Sequence, residues 1–197
     1  MRRRTFDALA AAVGVLLALV LAVAGGLLLW AHGFIDDQVH SQLADQKIFF
    51  PPAGSQALAD PQIKPYLSKY AGQQLLDGAQ AEAWANHFIA VHLQKIGGGQ
   101  TYSQLSAKAQ ADPSDTQLAT QVQTMFRGET LRGLLLNAYA FWKMAQVALY
   151  AAVVAFVAAG LLLVLAVLGL WHLRRTDPER EFLGRRIPPT PAVVADN

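Results

Sequence analysis

A metal site in this chain would draw on its five histidines and fourteen carboxylates, because its 197 residues include no cysteine. Disulfides, thiolate ligands and a cysteine nucleophile are thereby excluded. His87 and His92 fall in one predicted helix, five positions apart. At about 100° per residue they lie about 140° apart around the axis, so one helix face cannot present both to an ion as an i, i+4 pair would. His92 joins the stripe Ala81, Ala85, Phe88, Ile89 and Ile96 and reads as a partly buried core histidine. His87 lies nearer the polar side. His32 and His40 are isolated, and His172 follows the second long apolar run. No ligand spacing emerges, so neither a metal nor any other cofactor is expected. Glu129 and Arg132, at i, i+3 in GETLRG, are the other candidates. Glu129 falls on the stripe Leu118, Val122, Met125 and Leu136, and a carboxylate on an apolar face needs a partner. Two readings fit: a structural salt bridge to Arg132, or a polar functional site. The pair Gly128 and Gly133 is no phosphate loop, since it lacks the Gly-Lys-Ser/Thr ending and follows no strand.

The elements that must carry these residues are dominated by two charge-free apolar runs. Ala145 to Trp171 reads AQVALYAAVVAFVAAGLLLVLAVLGLW. As a helix at about 1.5 Å per residue it reaches roughly 40 Å, more than the roughly 30 Å of a bilayer core. Ala8 to Trp30 reaches roughly 35 Å by the same measure. Trp30, Trp142 and Trp171 bracket the runs as interfacial anchors. The first run begins just after MRRR and contains Ala22-Val23-Ala24, so a cleaved signal peptide competes with a retained span. Its continuation through GGLLLW favours retention. The expected fold is all-α: residues 1–7 cytoplasmic, 8–30 the first transmembrane helix, 31–144 an extracytoplasmic helical domain, 145–171 the second transmembrane helix, and 172–197 a basic, proline-rich cytoplasmic tail. The arginines at positions 2–4, 174, 175, 180, 185 and 186 flank the runs and place both termini inside.

The segment between the runs carries helix punctuation. Phe34 to Phe50 should extend the first span outward until Pro51-Pro52 stops it. A short helical turn should follow Asp60-Pro61. Asp77 with Gln80, and Thr101 with Gln104, match capping boxes. Gly97-Gly98-Gly99 should end the helix that Asp77 opens. Asp112-Pro113 reads as N-cap and first helical residue of a helix continuous with the second span, running from about Pro113 to Arg175. The two glycines 128 and 133 mark its weakest point. Strand signals are weak.

Within the first run Ala10, Gly14, Ala18, Ala22 and Gly26 recur every four residues, and the second offers Ala151, Ala155 and Ala159. Small residues at this spacing let helix backbones approach closely, either between the two spans or between copies. The middle segment holds no basic stripe, which argues against nucleic acid as a partner. Arg185, Pro188 and Pro191 form a proline-rich ligand pattern in the tail.

Three stretches carry a resemblance: QLADQKIFFPPAG at Gln42–Gly54, AGQQLLDGAQAEAWANHFIAVHL at Ala71–Leu93, and ETLRGLLLNAYAFW at Glu129–Trp142. Together they resemble a group of actinobacterial membrane proteins with two spans and an outer helical segment, over roughly residues 1–175. The group has no assigned activity, so the resemblance implies no catalytic residues. Some members bear the label aromatic ring-opening dioxygenase. Extradiol chemistry needs two histidines and a carboxylate around iron, and the histidines here show no such grouping. The expected protein is therefore a non-enzymatic interaction or scaffold protein of the cell envelope. Its partners would be the lipid bilayer and either a further copy of itself or another envelope protein. The alternatives are a ligand-sensing receptor subunit signalling through a partner and, further off, a metal-dependent dioxygenase.

Overall fold

The computed structural model describes residues 3–175; the expectations for the tail from Thr176 onward lie outside the described residues. Six α-helices follow in order: α1 (Arg3–Asp45), α2 (Lys64–Leu67), α3 (Gly78–Trp84), α4 (Ala90–Ile96), α5 (Tyr102–Ala111) and α6 (Thr116–Arg175). Among the described residues there is no strand, only an isolated bridge between Phe49 and Gln74. Both α1 and α6 are long and apolar enough to cross a membrane. The side chains of their apolar runs point outward: Leu16, Val23, Val154 and Leu161 are all more than half exposed. A water-soluble core helix would bury such residues, so this surface suits lipid.

The chain divides into two compact units. One comprises Leu27–Ala151, and the other, among the described residues, comprises residues 3–26 and 152–175.

In the Leu27–Ala151 unit the core gathers Val39 and Leu43 of α1, Phe50, Leu58, Ile63, Leu67, Leu75, and Leu135 of α6. Phe50 sits between Tyr70 and Trp84, with ring centroids 5.1 and 5.0 Å away. The helix α1 ends at Asp45, earlier than the prolines require. Gln46 and Lys47 close it with N–H bonds to the carbonyls of Leu43 and Ala44, and Lys47 turns the chain at φ 50°. Ile48 to Phe50 is then extended. It exchanges backbone bonds with Gln73 and Leu75, which carries Phe50 into the core. Pro51 continues that pairing, its carbonyl accepting from the Gly72 N–H at 3.1 Å, so the prolines do not end the helix.

Asp77 caps α3 as its residue type dictates. Its Oδ1 accepts from the Gln80 N–H at 2.8 Å, and Gln80 Oε1 accepts from the N–H groups of Leu76 and Asp77 at 2.6 and 3.2 Å. Gln80 is buried, so these bonds satisfy an amide that would otherwise be costly. Asp77→Ala should lower stability by about 1 kcal/mol, measurable as a drop in the melting temperature of the detergent-solubilised protein. Thr101 and Gln104 form the equivalent box on α5.

Between α3 and α4 the chain takes one π-helical turn, Ala85–Ile89. The extra residue in that turn shifts the phase of everything after it by about 100° relative to a plain α-helix. His92 is consequently exposed and not in the core stripe, although its Nδ1 still lies 2.7 Å from the Phe88 carbonyl. Val91 and Leu93 occupy the inward positions instead. The glycines after α4 end it, with Gly98 and Gly99 at φ 58° and 80°, where a Cβ would be strained.

The start of α6 also differs from the sequence expectation. Asp112 is not its N-cap; its Oδ1 instead takes the Ser114 N–H and hydroxyl. Asp115 does the capping, its Oδ1 accepting from the Leu118 N–H at 2.8 Å. From Thr116 the helix runs unbroken past both suspected weak points. Gly128 is a point of close approach, where an added Cβ would press on the Leu93 side chain, whereas Gly133 faces open space. Gly133→Ala should therefore raise stability by up to about 1 kcal/mol. Gly128→Ala should lower it, the two melting curves moving in opposite directions.

The other unit is a pair of helical segments packed through small side chains. Ala11 and Ala18 of α1 are buried, as are Ala152, Ala155, Ala159 and Ala166 of α6. Built Cβ atoms on Gly14 and Gly169 would touch Ala166 and Ala11 at 3.6 and 3.9 Å, and Gly25 lies under the Phe156 ring. The repeat along the seam is seven residues: 11, 18, 25 on one helix and 152, 159, 166 on the other. It is not the four-residue series read from the sequence. Gly14, Ala18, Ala155 and Ala159 lie at the seam and Ala22 is half-buried, but Ala10, Gly26 and Ala151 are exposed. The shift has a simple cause. A four-residue step overshoots a 3.6-residue turn, so the series drifts around the helix, while alternating three- and four-residue steps hold one face.

Candidate functional site

The most site-like feature is a groove of about 570 Å³ within the Leu27–Ala151 unit. The extension of α1 beyond Trp30 forms one wall. Ile35, Val39 and Leu43 turn inward toward the core, while Gln38 and Gln42 follow one turn apart along the rim and Gln46 lies just past the end of α1. The facing wall is α6, with Leu131, Leu134, Leu135, Asn137, Ala138 and Phe141. Trp84, the last residue of α3, and Ile89 of the π-turn that follows it complete the lining. Phe34, Leu131, Leu134 and Phe141 are about half exposed or more. No charged residue lines the groove. The side chains of Gln38, Gln42, Gln46 and Asn137 make no hydrogen bond to another described residue. Each amide thus offers a donor and an acceptor to whatever enters.

Beside it lies a polar chain. Arg132 approaches Glu129 at 3.4 Å, and its other guanidinium nitrogen donates to Asn86 Oδ1 at 3.1 Å. Asn86 Nδ2 donates to Glu82 Oε1 at 2.9 Å. The pair picked out in the sequence therefore ties α6 to the π-turn, which the sequence reading missed because Asn86 belongs to another element. Both partners are a third or more exposed, so the pair contributes at most about 1 kcal/mol.

The histidines are dispersed. His87 stacks on Tyr66 with centroids 3.4 Å apart. The Nδ1 of His32 lies 2.9 Å from the Ala145 carbonyl. His40 is exposed. His172 shares a cleft of the other unit with Asp7. Among the described residues no three metal-ligating side chains converge. Of the three tryptophans, Trp30 and Trp171 are exposed, whereas Trp142 is half-buried, packed against Gly78 and near Tyr139.

The chain matches no family model, no curated protein and no solved structure.

Away from the groove, the Lys95 ammonium and then the Gln62 N–H hold the Asp60 carboxyl below its ordinary value near 3.8. A carboxyl depressed on folding stabilises the fold above its unfolded pKa and loses that contribution as pH falls through the folded value. Lys95→Met should thus flatten part of the acid limb of a stability–pH curve, a small effect because the Lys95 partner is exposed to water.

Proposed function

We propose that this chain is an integral protein of the cell membrane that acts by binding. In this reading residues 31–144 lie outside, both termini are cytoplasmic, and the helical unit holds its partner in the groove between α1 and α6. The groove is the observation that carries the proposal. Its walls are hydrocarbon and its rim is amide. Such a lining can enclose and orient a molecule, but it offers no group that ionises near neutral pH to move protons. Two long helices with outward-facing apolar runs support the membrane placement, and the arginine clusters support the orientation. Retention of the first span is part of the reading, because Ala11, Gly14 and Ala18 belong to the seam with α6.

Tags at each end, with protease protection in intact cells, test the topology. Cleavage confined to sites in 31–144 is expected. A mature protein beginning at Gly25, or an externally accessible C-terminus, would overturn it. Metal analysis of the purified protein tests the binding role against the oxygenase alternative; stoichiometric iron with turnover of a catechol would reverse the choice.

A receptor subunit is a second reading, favoured by one feature. The helix that forms a groove wall at Leu131 to Phe141 continues without a break to Arg175. Occupancy of the groove would then be passed on along a single helix to a partner protein.

A further inference from the structure

We infer that the groove takes one acyl chain of an uncharged glycerolipid drawn from the bilayer, with the lipid's ester or hydroxyl groups held by the amide rim. This rests on the reading of the Leu27–Ala151 unit as a binding module at the membrane surface. Three observations select the ligand. Its length is the first: the α1 residues that line it, Phe34 to Leu43, cover about 14 Å at 1.5 Å per residue, enough to lie along a stretched hydrocarbon chain. A volume of about 570 Å³ lies within the range of small-molecule sites and is too small for a second helix.

Charge is the second. None of the lining residues carries one, so a phosphate or carboxylate head would be desolvated without a counter-ion. Gln38, Gln42, Gln46 and Asn137 instead present neutral donors and acceptors, which match carbonyl and hydroxyl oxygens.

Position is the third. Phe34 stacks on Trp30 at 5.6 Å, and Trp30 is 68% exposed, as an interfacial ring would be. The apolar end of the groove therefore begins one helical turn from the bilayer surface. The rings and leucines of its walls are about half exposed or more, so the slot opens through an apolar rim. A chain can enter from the membrane without crossing water, which a soluble apolar ligand cannot do.

The test uses the full chain in nanodiscs doped with a monoacylglycerol bearing a diazirine in its acyl chain. A lysophosphatidate of the same chain serves as the charged comparison. Photolabelling by the neutral probe should map to peptides covering 34–46 and 131–141, and should exceed that by the charged probe. Ala138→Trp fills the slot and should cut labelling there about tenfold. Leu134→Glu, at an exposed wall position that tolerates substitution, should do the same by placing a charge beside the chain. Labelling confined to 152–171, or groove labelling unchanged by both variants, would overturn the inference. So would equal labelling by the two probes. A disulfide-linked dimer formed efficiently by Leu134→Cys would also overturn it by assigning the groove to a second copy. That last result would leave the binding-module reading standing, whereas a cytoplasmic location for residues 31–144 would remove both.

Discussion

Gly78→Val should unfold the Leu27–Ala151 unit or leave it severely destabilised, by at least about 3 kcal/mol. A Cβ at this position would fall on the Cβ of Trp142, which no rotamer change can move out of the way, and on the start of its ring. Gly78 is also the first residue of α3, directly after its cap, so the backbone cannot retreat without breaking the Asp77–Gln80 box. The expected readout is loss of the near-ultraviolet dichroism of the tryptophans, with rapid proteolysis between residues 50 and 112. The apolar helices should still insert. Trp142→Ala alone should be milder, and Gly78→Ala with Trp142→Ala should recover part of the loss, since the ring is then gone and only one Cβ remains in the way. A Gly78→Val protein as stable as the original would show that α3 does not pack against α6 at this point.

Leu131→Pro is the second large effect. It removes a backbone bond in the middle of α6 and sets the ring against the carbonyl of Arg127, a cost of about 3 kcal/mol or more. Unlike Gly78, the Leu131 side chain is 56% exposed, so little packing is lost and the damage lies in the helix itself. Spin labels at positions 120 and 150, both within the same unit, should be about 45 Å apart in the unsubstituted protein, from 1.5 Å per residue. In Leu131→Pro the distance should shorten and broaden. Proline at Thr120 should instead loosen the contacts of Leu118, Val122 and Met125 with Leu93 and Leu105. A short or broad distribution in the unsubstituted protein would mean that α6 is already broken in the membrane-proximal stretch.

Much of this architecture could be read from residue types. The two capping boxes lie where Asp77 and Thr101 place them, because the chemistry of a cap is complete within four residues. The continuity of α6 follows from the lack of proline. What could not be read depended on partners distant in the chain. The role of Gly128 is visible only once Leu93 lies across from it. The end of α1 at Asp45 depends on the pairing of Ile48–Phe50 with Gln73–Leu75, and Pro51-Pro52 concealed it. The π-turn left no mark in the apolar pattern, and it reversed the burial expected for His87 and His92. The groove was half legible: glutamines at 38, 42 and 46 beside apolar residues at 35, 39 and 43 show a helix with an amide edge. The facing wall on α6 looked like the approach to a span.

The seven-residue seam limits how the two apolar segments can move past each other. Phe156 rests against Gly25, where the absence of a Cβ leaves room for the ring. One heptad away in either direction along α1 the equivalent positions are Ala18 and His32. Neither offers the same vacancy, and a full step would be about 10 Å at 1.5 Å per residue. Phe156 and Gly25 therefore act as key and keyway, setting the axial register and opposing piston-like sliding. Any motion between these two segments would have to be a rotation or a change of tilt.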